Sequence, residues 1–139
     1  MKVMKGTYVL LIRLPARHDI RIGGLGELEF KEGYYAYVGS ALNGLDSRIN
    51  RHLKKGKKMH WHIDYLLQHG AICDVYHKPA EKKEECEIAR TLNEIFKSIK
   101  YFGSSDCKCD SHLFYSERKN RLKDTIIVSG LKRRHQNLV

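Results

Sequence analysis

The chain has 139 residues, 42% hydrophobic and 30% charged, with a net charge of +10 and a pI near 9.5. That length suits a single domain spanning residues 1–139 with its own core, and the hydrophobic share excludes a chain too polar to fold. The positive surplus favours polyanions as partners, nucleic acid above all, because each phosphate neutralised releases condensed counterions; a lysine-rich solubilising surface is the plainer explanation. The start Met1-Lys-Val-Met-Lys-Gly6 lacks the apolar stretch of a signal peptide, and no run approaches the roughly 20 apolar residues of a membrane span. The protein is therefore expected to be cytoplasmic, with Cys73, Cys86, Cys107 and Cys109 as reduced thiols.

Tyr8 to Leu14 is rich in bulky apolar residues and stops at Pro15, so it predicts a strand. Alternation puts Tyr8, Leu10 and Ile12 on one face and Val9 and Leu11 on the other. Asp19 to Ile22 and Glu27 to Phe30 predict a short hairpin joined through Gly23-Gly24-Leu25-Gly26. Tyr34 to Val38 predicts another strand, with Tyr35 and Tyr37 on one side. A helix from Asn43 or Gly44 to about Lys54 carries the apolar stripe Leu45, Ile49 and Leu53, and Arg48 and His52 fall together at its edge. The basic run Lys54, Lys55, Lys57, Lys58 connects it to a second helix over about His60 to His69, ended by Gly70.

Ala71 to Tyr76 is expected as a strand. Pro79-Ala80 introduces a long helix to about Ile99 that carries Ile88, Leu92, Ile95 and Phe96 inward. A polar loop over Tyr101 to Ser111 precedes a strand at His112 to Tyr115, a helix from about Leu122 to Leu131 and a basic tail from about Lys132. The order predicts an α/β (α+β) sandwich, a small, mostly antiparallel central sheet flanked by helices.

Hydrolysing a phosphodiester requires an activated water, charge stabilisation on the phosphoryl oxygens and help for the leaving oxygen. Tyr8, Tyr37, Arg48 and His52, with one carboxylate from another element, meet that need. Singly, each has a duller account: strand tyrosines are usually core aromatics, and an arginine beside an apolar stripe usually snorkels. A phenol with a pKa near 10 acts as a base only if a cation or a second donor lowers that value.

Gly6-Thr7-Tyr8, Tyr37-Val38-Gly39 and the helix bearing Arg48 and His52 resemble the motifs of the GIY-YIG nuclease superfamily. Tyr37-Val-Gly-Ser-Ala41, His60-Trp-His-Ile-Asp-Tyr-Leu-Leu67, Glu85-Cys86, Phe102-Gly-Ser-Ser-Asp-Cys107 and His112-Leu-Phe114 resemble one subfamily, long described as a domain of unknown function (DUF123-like) and sometimes fused to an endonuclease III-like repair protein. The resemblance implies a metal-dependent endonuclease or phosphodiesterase acting on nucleic acid, DNA before RNA, in repair and with a repair-protein partner. It implies Tyr8 as the water-activating base, Tyr37 in support, Arg48 on the phosphate, and Glu85 as the ligand of Mg²⁺ or Mn²⁺; Glu84 and Glu87 lie close beside Glu85. Lys54, Lys55, Lys57 and Lys58 are expected nucleic-acid contacts. The stretch from Arg17 to Glu32 exceeds the family's short turn, and adds a hairpin that either shapes a substrate groove or extends the sheet. The competing function is a non-catalytic nucleic-acid-binding module on the same scaffold.

His60, His62 and Asp64 invite a metal, with a capped helix packing Trp61 and Tyr65 as the simpler account. Asp106, Cys107, Cys109 and His112 either close over the site or tie the helix to the last strand. For structural zinc the spacing is adverse: Cys107-Lys108-Cys109 is not a CxxC knuckle, and Cys73 and Cys86 stand alone.

Overall fold

A computed structural model describes residues 4–104 and 107–135, so Asp106 and the last residues of the basic tail lie outside the described residues. The predicted two-sided strand is the centre of the molecule. β1 (Gly6–Leu14) pairs antiparallel with β4 (Gly33–Ala41) on one edge and with β5 (Ala71–Pro79) on the other. Among the described residues the sheet has six strands in the order β6-β7-β4-β1-β5-β8, with β6 at Lys97–Ser98, β7 at Leu113–Ser116 and β8 at Lys132–Arg134. Every neighbouring pair is antiparallel. β2 (His18–Arg21) and β3 (Glu27–Phe30) form a separate two-stranded sheet. The long stretch between the two tyrosine motifs therefore does not extend the main sheet; it sends Ile20 and Phe30 into the core on one side.

Both faces of β1 are buried, which is why eight of its nine residues are inaccessible and only Arg13 reaches solvent. Tyr8, Leu10, Ile12 and Leu14 pack with Tyr35 and Tyr37 beneath α1 (Leu45–Leu53) and α2 (His62–Leu66). Val9 and Leu11 pack with Ala36 and Val38 beneath α3 (Glu85–Ile95) and α4 (Lys119–Val128). The predicted alternation is realised in both strands. None of the described helices is long and apolar enough to cross a membrane.

Several predicted boundaries move. Pro79 does not open a helix but ends β5, opposite Gly6, and the next amide, Ala80 N–H, donates to the Lys5 carbonyl at 3.0 Å. α3 consequently starts at Glu85, and it stops at Ile95 because Phe96 turns extended and Lys97–Ser98 pair with β7. That break leaves Ile95 half-exposed while Phe96 is buried. α2 is shorter than predicted, since the Asp64 carboxylate accepts the His60 and Trp61 amides (2.9 Å each) and so begins the helix only after Trp61. The basic tail contributes β8, fastened by Arg133 to the buried Asp74 at 3.1 Å.

Candidate active site

Tyr8 and Gly39 face each other in the β1–β4 register. The Tyr8 ring lies where a side chain at 39 would start, and a Cβ there would meet Cζ and Oη at 2.5 Å. Glycine in the second motif is thus what lets the tyrosine of the first lie flat across the sheet. Tyr8 Oη is 2.7 Å from His52 Nε2, and both residues are buried. Burial pushes the Tyr8 phenol far above its usual range, and the Arg48 guanidinium pulls in the opposite direction. Burial likewise holds His52 neutral, pushing its pKa down to about 3. His52 lies inside the α1 stripe rather than at its edge, while Leu53 is only partly covered. Its second ring nitrogen, Nδ1, is buried with no partner among the described residues.

Tyr37 joins this cluster, its ring 6.1 Å from His52 and 6.3 Å from Phe102. The Phe102–Gly103 corner packs tightly here, for a Cβ on Gly103 would lie 3.0 Å from Tyr37 Cε1. The Gly103 amide donates to His62 Nδ1 at 2.8 Å, so His62 serves as an acceptor that anchors this loop.

Arg48 donates to the Ser40 carbonyl (3.2 Å) and lies over the Trp61 ring, 4.5 Å from its centroid. One turn later Arg51 covers the same indole at 4.2 Å but is occupied by Asp64 through two 3.0 Å hydrogen bonds. The Asp64 carboxylate, fully buried, accepts these and two backbone amides, which holds it well within its charged form. Asp64 is therefore the cap and not a metal ligand, and His60 lies outside the helix against Trp61. Of the two arginines, only Arg48 makes no ion pair among the described residues.

Glu85 stands at the first position of α3, half-buried and free of ion pairs among the described residues. Its negative charge is felt by Tyr8, Tyr37 and His112. Its neighbours differ: Glu84 is held by Lys78 at 3.0 Å, and Glu87 is exposed.

The four predicted lysines separate. Lys54, Lys55 and Lys58 are exposed, whereas Lys57 folds back to donate to the His52 and Lys54 carbonyls at 2.7 and 3.0 Å. Lys57 closes the carboxyl end of α1. A cleft of about 1050 Å³ runs along this loop past His52, Gln68 and His69, and does not take in Tyr8, Arg48 or Glu85.

The spacing argument against a metal site on the cysteines does not hold in three dimensions. Cys86, solitary in sequence, lies on α3 beside Cys107, Cys109 and His112, and the four ligand atoms all fall within 4.8 Å of one another. Cys73 stays apart, its thiol donating to the Leu11 carbonyl at 3.2 Å. The signal that could have found the group is the short run Cys107-x-Cys109-x-x-His112, which needs only one more ligand from elsewhere.

The family model described as "Domain of unknown function DUF123" matches residues 7–134, and the chain belongs to that family. No curated protein matches the chain, and no solved structure matches it.

Proposed function

We propose that this member of the DUF123 family is a GIY-YIG-type, metal-dependent endonuclease that hydrolyses phosphodiester bonds in DNA, in the service of repair. The observation that carries the proposal is the cluster of a phenol bonded to a neutral imidazole (2.7 Å), an arginine without an ion-pair partner among the described residues, and a carboxylate whose charge reaches the phenol. A structural cluster would pair the arginine with the carboxylate, as Arg51 and Asp64 are paired.

At rest Tyr8 keeps its proton, because burial outweighs the pull of Arg48. In the tautomer with the His52 proton on Nδ1, Tyr8 donates to Nε2. Its oxygen then accepts a proton from the attacking water while its own passes to His52. Burial disfavours imidazolium, so as the P–O bond to the leaving oxygen breaks, His52 returns its proton to Tyr8 and Tyr8 passes the proton taken from water to that oxygen. Arg48, held over Trp61, lies beside the phenol and stabilises charge on the phosphoryl oxygens. The donors fit a hard divalent ion such as Mg²⁺ or Mn²⁺, which takes one or two carboxylates and completes its shell with water and substrate phosphate; Glu85 would hold it, and it would neutralise phosphate charge there. Lys54, Lys55 and Lys58 contact the DNA backbone beyond the site.

The test is nicking of supercoiled plasmid by the purified protein with Mg²⁺ or Mn²⁺. Tyr8→Phe, Arg48→Ala and Glu85→Ala should each abolish nicking with the circular dichroism spectrum unchanged. Nicking that survives all three substitutions sinks the assignment, and salt-sensitive DNA binding without cleavage would identify a binding module instead.

A further inference from the structure

We infer that Cys86, Cys107, Cys109 and His112 form a structural zinc site that ties the first turn of α3 to the loop ahead of β7. Three thiols and one imidazole are a soft donor set that favours Zn²⁺ and disfavours Mg²⁺. With Zn–S near 2.3 Å and Zn–N near 2.0–2.1 Å, the edges of a tetrahedral site are about 3.6–3.8 Å long. Two distances in the cluster lie close to that: Cys107 Sγ to His112 Nε2 is 3.4 Å, and Cys86 Sγ to His112 Nε2 is 3.9 Å. All the remaining pairs fall within 4.8 Å, so small side-chain adjustments close the tetrahedron.

The chain around the cluster is already fixed. The His112 amide donates to the Phe102 carbonyl at 2.8 Å, and the His112 carbonyl accepts from Val38 N–H at 3.0 Å. The Tyr101 amide donates to the Asp110 carbonyl at 2.7 Å, which closes the loop behind the cysteines. The three cysteines are half-buried and His112 is buried, while a cleft of about 400 Å³ beside Cys86 and Cys109 gives an ion a way in. With the ion bound, Cys86 on the helix, two loop cysteines and a histidine hydrogen-bonded to β4 become one rigid unit. Glu85 is the residue before Cys86, so the ion also fixes where that carboxylate stands; this last consequence rests on the role proposed for Glu85 above.

The test uses the full chain, purified under reducing conditions without added metal. Elemental analysis should find one zinc per chain in the wild type and in Cys73→Ser, and less than a tenth of that in Cys107→Ser and in Cys109→Ser. Replacing zinc with Co²⁺ should produce the intense visible bands of a tetrahedral site and thiolate-to-cobalt charge transfer, a readout that needs no variant to fold. Removing the ion with a chelator should lower the Tm by about 10 °C, restored by Zn²⁺ alone. A weak, six-coordinate cobalt spectrum overturns the site, as does equal zinc in Cys107→Ser and the wild type. Iron with acid-labile sulfide, or a disulfide among these cysteines in the freshly isolated protein, also overturns it. None of these measurements involves DNA, so the zinc site and the nuclease can fail separately.

Discussion

Tyr8 lies directly across the β1–β4 ladder from Gly39, and its ring fills the volume that any side chain at 39 would need. Two short motifs about thirty residues apart are thus one packing unit. Gly39→Ala must displace the Tyr8 ring, because a Cβ would stand 2.5 Å from it and the ring is buried on all sides. The expected cost is about 1–3 kcal/mol of stability. A urea midpoint unchanged from the wild type would show that the ring moves freely. Nicking should fall even under conditions where the variant is fully folded.

Asp64 holds four hydrogen bonds in a site with no solvent access, so its removal is a second, independent test of the scaffold. Asp64→Ala leaves two amides without an acceptor and Arg51 with only the Lys58 carbonyl, and should cost about 3–5 kcal/mol. The damage should reach the site, since Arg51 and Arg48 share the Trp61 ring. Denaturant unfolding reads the stability loss, and the quantum yield of the only tryptophan reports the altered contacts.

His52 makes folding sensitive to acid. Its folded pKa of about 3 lies below the usual value of 6.5, so the unfolded chain takes up the proton first. The contribution is fully present above pH 6.5 and is lost as the pH falls toward 3, amounting to about 2 kcal/mol at pH 5. His62, His77 and His112 are also depressed by burial, so the wild type alone does not isolate it. The loss between pH 7 and pH 5 should be smaller in His52→Gln than in the wild type. Equal losses would mean that His52 is charged in the folded protein.

The basic loop should divide into two functions. Neutralising Lys54, Lys55 and Lys58 should lower the slope of log K against log salt for duplex DNA by about 0.9 for each phosphate no longer neutralised, with little change in stability. Lys57→Ala should do the reverse, lowering the thermal midpoint while leaving the salt slope alone, because its ammonium is spent on the carbonyls of His52 and Lys54.

The elements that were legible in sequence are those whose signal is local. Tyr8-Val9-Leu10-Leu11-Ile12 alternates between two cores, and Leu45 and Ile49 mark the inner side of α1. His52 completes that side, where hydropathy alone leaves a histidine at the edge. Pro79 misleads because a proline can open a helix or end a strand, and only its pairing with Gly6 decides which. β8 is invisible to periodicity: Lys132–Arg134 has no apolar residue and is held by ion pairs to Asp74 and Asp46, far back in the chain. Cys86 is hidden for the same reason. Its neighbours are loop residues roughly twenty positions later, and no local pattern links a helix start to them. What separates Glu84 from Glu85 is a single lysine, Lys78 in β5, which holds Glu84.

The position of β1 has a consequence for biosynthesis. It comes first in chain order among the described strands, is apolar along nearly its whole length, and needs neighbours on both edges. β4 follows soon after, but β5 does not begin until Ala71, so one edge of this sticky strand stays open until synthesis has passed that residue. Chains truncated before β5 should aggregate through that edge, and a nascent chain should depend on chaperones until Pro79 has cleared the exit tunnel.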